Sequence, residues 1–129
     1  MSEPAQDPRH QRRITIMQDV FACTFTDATI QNCLTEEADS PVGSILQQLS
    51  ELDSQIQAVA PERPLNQINK VDLSILRTIL FEAKTKNTPK KVLINEAVEL
   101  AKAFGSDSSP RFVNGVLAKL LLEPEPEVA

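Results

Sequence analysis

The chain has 129 residues, and its hydrophobic content of 41% is enough to bury one core, which excludes wholesale disorder. Five Phe, no Trp and no Tyr leave the packing to Leu, Ile, Val and Ala, while three Gly and the lack of strand-like alternation favour an all-α fold. The net charge of −5 argues against a nucleic-acid partner until its distribution is read.

Residues 1–13 carry three Arg against two acids, residues 14–69 one Arg against eight acids, and residues 70–119 nine bases against five acids. The molecule is polarised, so one face can meet an anion while another meets solvent or a basic partner.

Residues 1–6 read as a flexible end. Asp7-Pro8 offers an N-cap and a proline where a missing N–H costs nothing, so a helix is expected from about Arg9 to Thr24. On it Arg9, Arg12 and Arg13 share one face at i, i+3 and i+4. Ile14, Met17, Phe21 and Phe25 form an apolar stripe, and Ile16 and Val20 continue below the arginines. A short helix follows over Asp27 to Glu37. Ser40-Pro41 starts a third, with Val42, Ile45, Leu49, Leu52, Ile56 and Val59 spaced as one continuous helix. Pro61 to Pro64 ends it, and Leu65 and Ile68 make a connecting turn.

Asn69, with Asp72 three residues on, caps a helix bearing Leu73, Ile75, Leu76, Ile79 and Leu80. Thr88-Pro89 is expected to start the next, whose apolar face is Leu93, Ile94, Ala97, Val98, Ala101 and Phe104. Gly105 is expected to stop it in the left-handed conformation. Ser109-Pro110 opens the last helix, with Phe112, Val113, Val116, Leu117, Leu120 and Leu121 inward. The expected architecture is a bundle of six to seven helices over residues 7–122, in halves of about 7–64 and 65–122. Residues 123–129 then form a disordered acidic tail beyond Pro124.

Little here supports catalysis. There is no Gly-rich phosphate loop, no His-based metal pattern and no Cys/His or Ser/His pair, so no enzyme, cofactor or metal is expected. His10 is a lone surface histidine, and Glu96 and Glu99 are a polar helix edge. Asn95-Glu96 suits hydrogen bonding between helices. Cys23 and Cys33 read as two idle thiols in a reducing cytosol. The N-terminus has no signal-like apolar stretch, and no apolar run approaches the ~20 residues a membrane crossing requires, so a cytoplasmic protein is expected. Lys84, Lys86, Lys90 and Lys91 form a solvated loop that could extend a phosphate track.

Three segments resemble the NusB family of bacterial transcription antitermination factors. They are Val71-Asp72-Leu73-Ser74-Ile75-Leu76-Arg77, Ile94-Asn95-Glu96-Ala97-Val98-Glu99-Leu100-Ala101-Lys102 and Arg111-Phe112-Val113-Asn114-Gly115-Val116-Leu117. The likeness covers residues 69–121 and extends more loosely over the first helix. It implies a factor that binds boxA-type leader RNA with the small-subunit ribosomal protein NusE and joins the RNA polymerase antitermination complex.

By this resemblance Arg9, Arg12 and Arg13 clamp phosphate, Phe112 beside Arg111 offers a stacking face, and Asn114 offers a donor. Gln18, Phe21 and Asp72 fall at or near the protein partner. Ser108 stands where many relatives carry an acid, a change that favours RNA. The arginines and the Arg111–Phe112 corner are expected to form one continuous patch. Replacing Arg12 and Arg13 with Ala is expected to flatten the salt dependence of RNA binding and leave the fold intact. Two other readings stay open: a protein-only helical module or homodimer, and a NusB-like domain of an RNA methyltransferase, which the lack of a methyl-donor domain disfavours.

Overall fold

The computed structural model describes residues 7–122; the expectations for residues 1–6 and 123–129 lie outside them. Seven α-helices occur among the described residues: α1 (Pro8–Cys23), α2 (Asp27–Glu36), α3 (Pro41–Gln47), α4 (Leu49–Val59), α5 (Lys70–Thr85), α6 (Lys90–Phe104) and α7 (Ser109–Leu117). A 3₁₀ turn, Leu65–Gln67, precedes α5, and a π turn, Ala118–Leu122, extends α7. No helix among the described residues is long and apolar enough to cross a membrane.

Helix α5 is the axis of the bundle. It packs against α1, α4, α6 and α7, and Leu73, Ile75, Leu76, Ile79 and Leu80 are all buried. A helix covered on so many sides must also bury polar positions, and Ser74 and Thr78 are among them. Each satisfies its hydroxyl within the helix, Ser74 to Lys70 O at 2.9 Å and Thr78 to Ser74 O at 2.8 Å. Met17 and Val20 of α1, Ile45 of α3, Leu52 and Ile56 of α4, Leu93 and Leu100 of α6, and Val113 and Leu117 of α7 complete one core. Arg77 on α5 makes a two-pronged bond to Asp53 on α4, both contacts 2.8 Å.

The caps follow the sequence at three helices. The Asp7 carboxylate accepts from the N–H of Arg9, Ser40 Oγ from Gly43, and Asn69 Oδ1 from Val71 and Asp72. Helix α7 begins at Ser109, but its cap position is Ser108, which makes no side-chain cap bond, and Ser109 Oγ accepts from the N–H of Ser106 at 2.9 Å. Elsewhere the expectations need correction. The single helix expected from Pro41 to Val59 is broken at Gln48, whose N–H turns to Ile45 O and Leu46 O. Thr88 does not cap α6; its hydroxyl donates to Glu82 Oε2 at 2.7 Å, and Pro89 holds the cap position. Gly105 is extended rather than left-handed, with φ −95° and ψ −165°. Glycine is needed there because a Cβ would run into the Ser109 side chain, so α7 can fold back closely on the end of α6.

The cysteines also depart from expectation. Cys23, at the end of α1, and Cys33, on α2, form a disulfide with Cα atoms 5.9 Å apart. Helix α2 contributes no fully buried residue, so the bond joins the chain's least anchored helix to the core. A spacing of ten could not show that α2 turns back along α1.

Candidate functional site

The amino-terminal arginines part company in the structure. Arg9 and Arg12 are exposed, whereas Arg13 is buried. Arg13 Nε and Nη2 donate to Glu82 Oε1 and Oε2, both at 2.8 Å, and Nη1 donates to Glu96 Oε1 at 2.9 Å. With both edges of its guanidinium occupied, Arg13 is a strut between α1, α5 and α6. That corrects its expected place among the phosphate clamps: a helical face of three arginines points in one direction only until one of them finds buried partners. The strut holds the Glu82 carboxyl below its ordinary pKa, chiefly through the Arg13 hydrogen bonds. The two carboxylates in turn push the Arg13 guanidinium further toward permanent charge. His10 is drawn into the same cluster, its Nδ1 3.0 Å from Glu96 Oε1. Asn95, expected to bond between helices with Glu96, is exposed.

Above this strut lies an open groove of about 840 Å³ between α1, α3, the end of α5 and the start of α6. Arg9, Arg12 and Lys86 bring positive charge to it, Asp7 and Asp39 bring negative charge, and Ile16, Phe81 and Val92 give it an apolar side. Lys86 therefore shares a face with the arginines. Lys84 does not belong to it and pairs with Glu51 on α4 at 2.6 Å.

The Arg111–Phe112 corner is elsewhere. Arg111 and Asn114 are exposed on α7, and Phe112 is half-buried against the core with the Arg63 guanidinium 4.6 Å from its ring centroid. Beneath it Asp72, at the start of α5, is only 3% exposed. Burial raises the Asp72 pKa, countered in part by the Ser109 hydroxyl and the Arg63 charge, and its Oδ1 lacks a hydrogen-bond partner among the described residues. Glu82 marks one end of α5 and Asp72 the other, ten residues or roughly 15 Å apart at helical rise. The expected single continuous patch is thus two sites at opposite ends of one helix.

Of the residues assigned to a protein partner, Gln18 is exposed on α1 and Phe21 is half-buried, its ring 5.8 Å edge-on from Phe25. Phe25 is 54% exposed and carries the Lys70 ammonium 4.7 Å from its centroid. Asp72 is too deep to present a surface carboxylate. Sequence reasoning missed Arg63, Glu82 and Lys70. Arg63 was visible only as the lone base in an acidic stretch.

An all-helical bundle whose exposed side chains line an open groove above a buried ion-pair cluster presents a binding surface. The comparisons make this specific. Residues 10–121 match the profile of the NusB family. The chain is 42% identical over 129 residues to the transcription antitermination protein NusB of Chloroflexus aggregans, covering 88% of this chain and 86% of that protein. It is likewise 42% identical to the protein of that name from Roseiflexus castenholzii, covering 88% and 91%. A solved structure of T. maritima NusB superposes with a TM-score of 0.76 at 29% identity, covering 93% of this chain and 94% of that one. The chain belongs to the NusB family, a family of transcription antitermination factors and not of enzymes.

Proposed function

We propose that the protein is an RNA-binding transcription antitermination factor. In this reading it holds boxA-type single-stranded leader RNA together with the ribosomal protein NusE and joins the RNA polymerase antitermination complex in the cytoplasm. The observation that carries it is the family match across residues 10–121. The geometry supports a division of labour. Arg9, Arg12 and Lys86 supply exposed cations for phosphate along the groove. Arg111 and Asn114 supply further donors on α7, beside the half-buried Phe112. Gln18 and Phe21, on another part of α1, serve the protein partner. Arg13 and Asp72 act from inside, by fixing α1 on α5 and α7 on α5.

The test is a salt titration of binding to a boxA-type RNA, with and without the purified ribosomal protein. Wild-type affinity should fall with salt, by about 0.7 in the log–log slope for each phosphate neutralised. Arg9→Ala with Arg12→Ala should flatten that slope. An unchanged slope and affinity in this variant would make the arginines ordinary surface. A homodimer that released its partner on adding RNA would point instead to a face hidden by self-association.

A further inference from the structure

The loop between α4 and α5 is built with more care than a connection requires. Gln57, on α4, donates from Nε2 to Ala60 O at 2.9 Å and to Arg63 O at 2.8 Å, and its Oε1 accepts from the N–H of Leu65 at 3.1 Å. Arg63 N–H closes a turn onto Ala60 O at 3.2 Å. Pro61 and Pro64 restrict the backbone on either side, Pro64 by limiting Arg63 to extended conformations. One exposed residue is therefore held in a fixed place by a side-chain clamp and two prolines.

What the clamp presents is a flat cation. The Arg63 guanidinium lies over the ring of Phe112, which is half-buried against the core, and the Asp72 charge lies close by. A guanidinium stacked on a ring keeps its second face and its N–H edges open. Arg111 and Asn114 stand exposed on the same turn of α7. Glu62 and Asp107 are exposed nearby, so the corner is not a strong attractor of phosphate as a whole.

We infer that Arg63, stacked on Phe112, is a platform for one base of single-stranded RNA, which extends the stack to base, guanidinium and ring. This rests on the RNA-binding reading above and adds Arg63 to its Arg111–Phe112 subsite, at the far end of α5 from the Arg9–Arg12 groove. Stacking tolerates any base and depends weakly on salt, so this subsite contributes affinity where the groove contributes the salt slope. The spacing of the two subsites sets the stretch of RNA the protein can span.

The experiment compares Arg63→Ala and Arg63→Lys in the full chain, using fluorescence anisotropy with an end-labelled single-stranded RNA carrying the boxA element. Arg63→Ala should bind roughly fivefold to a hundredfold more weakly, the range base stacking provides. Arg63→Lys keeps the positive charge but loses the flat face, so it should be about as weak. In both, the salt slope should change by less than about 0.7, the value of one phosphate. An RNA with a single abasic position should lose affinity for wild type and not for Arg63→Lys. Full affinity in Arg63→Lys would show a charge contact and overturn the platform. Wild-type affinity in Arg63→Ala, with binding still weakened by Arg9→Ala and Arg12→Ala, would overturn it while leaving the RNA-binding function in place. No binding by wild type, alone or with the ribosomal protein, would remove both.

Discussion

At the carboxyl end of α5, Glu82 meets Arg13 through two short bonds, and both side chains are inside, 13% and 10% exposed. At the amino end, Asp72 is just as deep, but its arginine, Arg63, stays outside on Phe112. A carboxylate and an arginine make a closed internal strut at one end and an open surface at the other. The difference lies in satisfaction. A guanidinium whose donors all find carboxylates has nothing left for a ligand, whereas one facing a ring and a distant charge keeps its edges free.

The largest expected effect breaks the closed end. Arg13→Ala leaves Glu82 and Glu96 facing each other without their cation, and should lose about 3–5 kcal/mol of stability in urea unfolding. That is a large share of the ~5–15 kcal/mol that holds a domain together. Replacing Arg12 and Arg13 together therefore cannot report on RNA alone. Arg13→Met with Glu82→Gln should lose less than Arg13→Ala, since no unpaired Glu82 charge remains.

The two ends should also titrate in opposite senses. Glu82 has a lowered pKa in the folded state, so its contribution is present above the ordinary carboxylate range and lost as pH falls through the folded value. Asp72 has a raised one, so its contribution is full below the ordinary Asp value of about 3.9 and lost as pH rises through the folded value. Asp72→Asn should thus gain on the order of 1 kcal/mol over wild type at neutral pH, by removing a buried charge that is poorly partnered. Glu82→Gln should be less stable than wild type at neutral pH. Both differences should shrink in acid, as unfolding midpoints from about pH 3 to about pH 8 would show. A gain for Glu82→Gln at neutral pH would mean that the strut is not what holds α1.

The smallest effect on stability belongs to the exposed pair. Arg9→Ala with Arg12→Ala should shift stability by under ~0.5 kcal/mol while lowering the RNA salt slope. A clear loss of stability there would erase the contrast with Arg13, one helical position away.

How much of this was legible follows the distance between interacting residues. Asn69 bonds to Val71 and Asp72, and Ser40 to Gly43, so these caps can be read from neighbours in the chain. The buried faces of α5 and α6 repeat at helical spacing for the same reason. On α6, Leu100 is buried on the same stripe, seven residues from Leu93, while Phe104, expected inward, is 39% exposed because the helix ends there. The break at Gln48 escaped notice because α3 and α4 keep a single periodicity across it. Arg13 and Glu82 are 69 residues apart and Arg13 and Glu96 are 83 apart, so nothing local distinguishes Arg13 from Arg12.

The sequence by itself determined an all-helical chain, most of its caps, the apolar faces and a family likeness, because all of these depend on residues within a turn or two of each other. Only the tertiary structure decided which arginine is structural and which is free, that the cysteines meet, and that Arg63 covers Phe112. Those outcomes depend on how helices distant in the chain pack around α5, and on the cost of burying a charge without a partner.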